Sequence, residues 1–504
     1  MVPSHITRTT NLFRGGVAIR CLSASTSSSS IRAPNLLGGG VHTNSPNTSA
    51  NWRNRPLFRR SGDEMFRSGK EAASMLVNEV KRRDSSEVEF CETVGESLLA
   101  LGEVFERNPR MAWVAKTMIE PERTITFRTP WIDDKGITRV SRGFRVQYSS
   151  ALGPFTGSLH FGGHVNLSTV KALAFTTTIR NGLSGFNLGA AVGGSDFNPF
   201  NKTDAEVQRF CQSYMTELSK YIGHGVDSPS MGMGVGEKEL GFMFGQFKRM
   251  GGGSREKRLF GLGEERLKRE ATGTGVAHFA EAMLNARNDT LKGKRCLIMG
   301  SGKVAMSLAK KLNEYGATPL SFSDSSGFIV EPEGFTGNRL KTIKRIKSER
   351  GARVGRYIIS STSAKFNESE SIFDIPHDLV FPCNDIHSIG SREAVDKLVA
   401  SGCIGIVEGG ASCVSPAARV HAKSLGLLHA PSVCTLSGAE LVHGLELENW
   451  ASVTDEQLKL EMKKVFEEVS RTANEFNNRG DLFVGSNIAG FLRVGRAMDA
   501  LGAI

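Results

Sequence analysis

The stretch from Arg295 to Asp324 restricts the fold more than any other part of the chain. An apolar run, RCLIMG, enters Gly300-Ser301-Gly302-Lys303, a helical segment spans 303–315, and a second apolar run, Thr318 to Ser323, ends at Asp324. Strand, glycine turn, helix, strand and acid, with the acid 22 residues past the second glycine, is the order a dinucleotide-binding unit requires. Glycine lets the backbone approach a pyrophosphate, the helix N-terminus faces it, and the acid meets a ribose hydroxyl. Many doubly wound sheets keep a glycine there for packing alone, so the run predicts an α/β fold before it predicts a bound cofactor.

At 504 residues the chain is long enough for two core-forming domains. No apolar run approaches the roughly 18 residues a membrane span needs. Eight cysteines without a CxxC pair read as small buried hydrophobes in a reducing compartment, and no metal site is expected. The net charge of +11 is unevenly placed. Residues 1–62 hold eight arginines, no lysine and no acid, so the remaining 442 residues carry only +3. The charge is therefore poor support for a polyanion partner.

That leader is also serine-rich (Ser23, Ser25, Ser27 to Ser30) and starts with an apolar–basic stretch, Ile6 to Leu22. Arginine-rich, serine-rich and acid-free is the composition of an organellar transit peptide, and a mitochondrial matrix location is expected.

Helical spacing covers 64–82 and 86–106, with Val94, Leu98, Leu101 and Phe105 on one face. Residues 123–128 and 137–148 read as strands around the turn Asp133-Asp134-Lys135-Gly136. Ser168 to Ile179 and Asp204 to Ile222 read as helices, and the glycine-rich, charged segment 250–270 reads as a loop or boundary. Eight basic residues between Lys248 and Glu270 make that segment a candidate RNA or protein contact, although such runs are usually solvated.

Longer strings are more specific. PERTITFRTPWIDDKG from Pro121, RGFRVQYSSALGPF from Arg142, VNLSTVKALAF from Val165, GGSDFNP from Gly193 and RFCQSYMTEL from Arg209 occur in order. GVGEKELGFMFGQFK from Gly234, EATGTG from Glu270, GSGKVA from Gly300, SDSSG from Ser323 and SNIAGFLRVGRAM from Ser486 follow. Together, from about residue 64 to the C-terminus, the chain resembles the hexameric NADP-type glutamate dehydrogenases. The resemblance implies a two-domain α/β fold, an N-terminal mixed-sheet substrate and oligomerisation domain followed by a Rossmann-like domain. The expected division is a leader over 1–62, the first domain over 63–260, the dinucleotide domain over 261–440, and returning helices over 441–504. It also implies reversible oxidative deamination of glutamate with NADP. Cations must then hold two carboxylates, a low-pKa lysine must activate water or the imine, and a carboxylate must shuttle protons.

At those positions the chain departs from the pattern. The family's G-P-Y-K-G-G-M-R-F is read here as GPFTGSLHF, which puts Thr156 at the carboxylate-binding lysine and His160 at the arginine. The lysine of T-F-K-N is Arg180, a change of geometry at constant charge. The catalytic lysine of G-G-G-K-G-G-S-D-F falls on Val192, the proton-shuttling aspartate of P-A-G-D-I-G-V-G on Gly232, and a substrate-contacting serine on His443. On the cofactor side Thr272, Gly300, Gly302 and Asp324 persist. Lys268 and Lys303 replace an arginine and an asparagine, Asn384 to His387 replace A-T-Q-N, and Ala411 replaces another asparagine. Asp324-Ser-Ser-Gly offers no arginine for a 2′-phosphate.

Losing base, shuttle and clamp together removes the designed route, since each such group is typically worth about 10² to 10⁴ in rate. The expectation is a catalytically degenerate paralogue that serves as a structural or accessory subunit, as a homo-oligomer or within a larger mitochondrial assembly such as a ribosome or respiratory complex. No cofactor is expected, apart from weak, vestigial NADP or NAD binding through Gly300, Gly302, Lys303, Asp324 and Thr272. Two alternatives stand beside it. One is an active NAD(P)-dependent glutamate dehydrogenase with His160, Lys171, Arg180 and His443 in new roles. The other is a different dehydrogenase or a dinucleotide sensor.

Overall fold

The computed structural model describes residues 67–251, 266–349, 351–368, 371–384, 386–449 and 453–502. The leader and most of the basic segment 248–270 lie outside these residues. No described helix is long and apolar enough to cross a membrane. The seven described cysteines are free, and burial pushes the Cys383 thiol up to about 12.

Four helices open the described chain: α1 Gly69–Arg83, α2 Val88–Ala100, α3 Gly102–Arg107 and α4 Arg110–Met118. The single helix expected over 86–106 is thus two. Leu101 N–H donates to Leu98 O, only three residues back, and the backbone of Gly69 lies so close to the Gly102 carbonyl that a Cβ there would sit 2.1 Å from it. Next come β1 Arg123–Ile132, β2 Thr138–Ser149, β3 Phe155–Phe161, α5 Leu167–Ser184, β4 Ala190–Ser195, α6 Asp204–Leu218, β5 Asp227–Ser230 and α7 Glu237–Arg249. The strands form one mixed sheet in the order β1-β2-β4-β3-β5, with β3 parallel to both its neighbours. Helix α5 packs against β2 and β4. It starts at an Asn166–Thr169 capping box and stops at Gly185 in the left-handed conformation. An aromatic cluster fills the α6 side, with the Phe197 and Phe210 rings stacked at 3.8 Å. Arg145 of β2 and Asp227 of β5 are fully buried and joined by two hydrogen bonds, and Gln147 Nε2 donates to the same carboxylate at 2.9 Å.

The second sheet is parallel throughout. After α8 Arg266–Asn285 run β6 Arg295–Met299, α9 Lys303–Glu314, β7 Thr318–Pro319, β8 Ser321–Asp324, β9 Gly327–Val330, α10 Gly337–Ser348, β10 Lys365–Asn367, β11 Leu379–Pro382, α11 Arg392–Ala400, β12 Gly405–Val407, α12 Pro416–Ser424 and β13 Leu428–Ala430. The order β13-β12-β11-β6-β7 places the topological switch between β6 and β11. The one strand expected from Thr318 to Ser323 is divided at Leu320. Thr318 and Leu320 N–H donate to Lys294 O and Cys296 O, and beyond them the Ser321 hydroxyl takes over by accepting from Ile298 N–H at 3.0 Å and donating to Ile298 O at 2.9 Å. Ser321 to Asp324 pair instead with β9, in a small antiparallel sheet with β10.

Helices α13 Ser432–Thr435, α14 Gly438–Asn449, α15 Asp455–Glu475 and α16 Leu482–Ala500 lead back to the first sheet's helices. There α16 crosses α5 at a glycine pair: a Cβ on Gly182 would lie 2.5 Å from Gly490 O, and one on Gly490 2.3 Å from Ile179 O.

Candidate functional site

The substrate positions fall on β3, β4, α5, α14 and the turn after β5. Thr156 on β3 is buried and its hydroxyl donates to Ser228 O at 3.3 Å, so it is committed to the neighbouring strand. His160, near the end of β3, accepts from Met233 N–H through Nδ1 at 3.2 Å. Its proton therefore sits on Nε2 and points to Ser158 Oγ at 2.7 Å, which leaves no lone pair to activate that serine. Burial, reinforced by the Arg180 charge, lowers the His160 pKa to about 4. At neutral pH the ring is uncharged, where the resemblance implies a cation.

Arg180, a turn before the end of α5, faces Glu440 in the first turn of α14, with Nη1 3.3 Å from Oε1. Sequence reading missed Glu440, which looks like an ordinary helical acid until the fold places it against Arg180. Val192 is fully buried on β4, in register with Val146 and within the apolar cluster that contains Phe175 and Ile179 of α5. At Gly232 a Cβ would lie 2.3 Å from Leu159 O and 3.1 Å from His160 Cε1, so no side chain enters without moving β3. His443 lies half-buried on α14. Lys171, imagined as a displaced catalytic group, is elsewhere. It binds Asp84 at 3.1 Å and Glu87 at 2.6 Å beneath the Phe90 ring, tying α5 to the first helices.

On the other side, Gly300 leaves β6 with φ +105, and a Cβ there would stand 2.6 Å from Cys383 O. Only glycine fits, and the opening at the switch point is thereby kept clear. Gly302 caps α9, a 12-residue helix whose first-turn N–H groups, ahead of Met306, have no helical acceptor and face that opening. Lys303 reaches across to Met231, its Nζ 3.9 Å from Sδ. Thr272 is half-buried on α8, beside Gly273, whose backbone abuts α9 at Ser307. Asn384, after β11, keeps a buried Oδ1 without a partner. The side chain of Lys268 is outside the described residues.

Asp324 is more engaged than the sequence implied. Burial alone would raise its pKa, but it is lowered because Oδ1 accepts from Ser326 and Oδ2 from Lys347 Nζ at 3.0 Å and Val354 N–H at 2.9 Å. Arg353 hydrogen-bonds Ser325 Oγ and stacks on Phe200 at 4.6 Å. Lys347 and Arg353 thus supply, 23 and 29 residues downstream, the cations that the Asp324-Ser-Ser-Gly stretch lacks by itself. Among the described residues no group of three or more His, Cys, Asp or Glu side chains is arranged to hold a metal.

The His160 environment has a measurable consequence. The folded state holds this ring's pKa below the unfolded 6.5, so between about 6.5 and 4 the unfolded chain binds the extra proton. Stability is expected to fall as pH drops through that window, and His160→Gln to flatten the dependence. Urea midpoints at pH 7, 6, 5 and 4 check this; parallel pH profiles for the two proteins would refute it.

Residues 263–502 match the family described as Glutamate/Leucine/Phenylalanine/Valine dehydrogenase, and residues 121–249 match its Glu/Leu/Phe/Val dehydrogenase dimerisation domain. The chain belongs to this family. It is 39% identical over 444 residues to the NADP-specific glutamate dehydrogenase of Chlorella sorokiniana, covering 85% of this chain and 84% of that one. It is 34% identical to the NADP-specific enzyme of Escherichia coli K12, covering 85% and 98%. Among solved structures, glutamate dehydrogenase 2 of Plasmodium falciparum superposes with a TM-score of 0.78 at 37% identity, covering 89% of this chain and all of that one. These findings establish the expected two-domain α/β fold. They also correct one expectation, that the chain goes without a cofactor: its relatives carry NADP specificity in their names, and nothing in the site shows that binding is lost.

Proposed function

We propose that the chain is an NADP-binding member of the glutamate dehydrogenase family in which glutamate deamination has been dismantled, acting as an accessory or structural subunit of an oligomer. One observation carries this reading: none of the four positions expected to be cationic offers a free positive charge. Thr156 and Val192 are uncharged, His160 is neutral, and Arg180 is paired with Glu440. A dicarboxylate brought there would be desolvated without a counter-charge, which costs several kcal/mol per ion.

Gly300, Gly302 and the α9 N-terminus would hold the pyrophosphate, and Ser325, Lys347 and Arg353 the 2′-phosphate. NADP, when bound, supplies a hydride acceptor. The arginine- and serine-rich residues 1–62 favour a mitochondrial address, and the dimerisation-domain match favours self-association. An active glutamate dehydrogenase is the second reading, favoured by the names of the relatives.

A glutamate- and NADP-dependent assay of the purified chain separates the two. Turnover is expected at least about 10⁴-fold below a typical 10 s⁻¹, while NADPH still binds and raises the melting temperature. Turnover near 10 s⁻¹ would refute the degenerate reading. Arg353→Ala should weaken NADPH about 10- to 100-fold and NADH little, the range for one charge-assisted bond to phosphate.

A further inference from the structure

The dinucleotide turn leaves the parallel sheet at the carboxyl end of β6, the edge at which open α/β sheets bind their ligands. A separate cavity of about 410 Å³ opens on the opposite edge, where β12 and β13 begin. Three helix-to-strand turns build it. They follow α8, α11 and α12 and reverse at Asn288, Gly402 and Gly426, all in the left-handed conformation. Such turns commonly tuck an apolar residue back against the helix they leave. Here Val399, Ile404 and Leu425 stay 40%, 37% and 46% exposed and converge on one opening, backed by Leu284 and Leu427. Single exposed apolar side chains are ordinary on any surface, but several lining one concavity mark a place where something binds.

The polar groups around the cavity are few, and all but one are spent. The N–H groups of Cys403, Gly426, Leu427 and Leu428 donate to Leu398 O, Lys423 O, Ala422 O and Ile404 O. The Cys403 thiol donates to Gly405 O at 3.3 Å, and Asp289 is paired with Lys294 Nζ at 2.9 Å. Arg287, on the rim, has no side-chain partner among the described residues. An apolar hollow with one unspent guanidinium at its mouth is complementary to a hydrocarbon body that carries a single planar anionic head. We propose that this cavity binds an aliphatic monocarboxylate, with the chain between Val399, Ile404 and Leu425 and the carboxylate on Arg287. The site lies away from the glutamate and dinucleotide positions, so it does not depend on whether the chain deaminates glutamate.

Calorimetric titration of the full chain with octanoate, butyrate, octanol and octylamine tests this. Each buried methylene is worth a factor of about four, so octanoate is expected to bind at least about tenfold tighter than butyrate. It should also bind at least about tenfold tighter than octylamine, whose ammonium would face Arg287. Arg287→Gln should weaken octanoate about tenfold while octanol stays within a factor of about two. Leu425→Asp should weaken octanoate and octanol alike, each at least about tenfold. The comparisons among ligands use the unaltered chain, so they decide the matter even if a variant fails to fold. No octanoate binding, equal binding of octanoate and octylamine, or octanoate binding untouched by both substitutions would each overturn the proposal. So would a fall in sedimenting mass with Leu425→Asp and no octanoate binding, which would make this face a contact between copies of the chain.

Discussion

Val192→Lys, which reinstates the family's lysine, is expected to destabilise the chain rather than restore chemistry. Val192 has no solvent exposure, faces Val146 across β4 and β2, and belongs to the cluster that α5 covers. An ammonium placed there meets no carboxylate, because Gly232 holds the aspartate position. The cost of an uncompensated buried charge is about 3–5 kcal/mol, a large share of an ordinary folding free energy of about 5–15. Burial would depress the new lysine's pKa, so the penalty should shrink as pH rises towards the unfolded value of about 10.4 and the unfolded chain also loses its proton. Denaturant titrations at pH 7 and pH 9.5 read both effects. Adding Gly232→Asp should worsen matters, since its Cβ would already press to 2.3 Å from Leu159 O. A variant within about 1 kcal/mol of the parent, with an ordinary lysine titration, would mean that position 192 opens to the cleft after all.

Gly300→Val is expected to abolish dinucleotide binding, raising the NADPH dissociation constant at least about 100-fold, or about 2.7 kcal/mol. Two causes act together. The backbone at φ +105 is open to glycine and strained for a β-branched residue. The added Cβ also falls 2.6 Å from Cys383 O, so β6 and β11 must part where the crevice begins. Fluorescence titration of NADPH measures the loss. Gly245→Ala on α7 is the control, because a Cβ there meets nothing within 4 Å and the residue takes no part in the β6–α9 turn. Unchanged binding in Gly300→Val would place the dinucleotide somewhere other than the β6–α9 turn.

What could be read from the sequence follows from where hydrophobic periodicity is strong. The β1–β2 hairpin, α5 and the β6–α9 turn announce themselves because apolar spacing and turn residues agree there. Strands β3 and β4 do not, although they carry Thr156, His160 and Val192. Their glycines interrupt the alternation that marks a strand, and they cannot be otherwise: a Cβ on Gly194 would lie 2.3 Å from His160 O and one on Gly157 1.9 Å from Ala191 O. Glu440 was invisible for another reason. One of three acids in GAELVHGLELEN reads as a solvated helical residue, and only the packing of α14 on α5 gives it Arg180 as a neighbour. Lys347 and Arg353 were likewise hidden, because a phosphate site assembled from separated loops has no local spacing to detect.

The return of α16 to α5 fixes when this protein can become whole. The glycine crossing at Gly182 and Gly490 joins a helix from the first half of the chain to one from its last twenty or so residues. During synthesis, the apolar face of α5 must wait for roughly 300 further residues before its partner emerges, well over ten seconds at ordinary ribosomal rates. The strands of the Rossmann-like sheet are all made by Ala430, but α8 of that domain packs on α14 and α15 and waits for them as well. An arrested or C-terminally clipped chain would therefore leave apolar faces open on both α5 and α8, and chaperones would have to cover both.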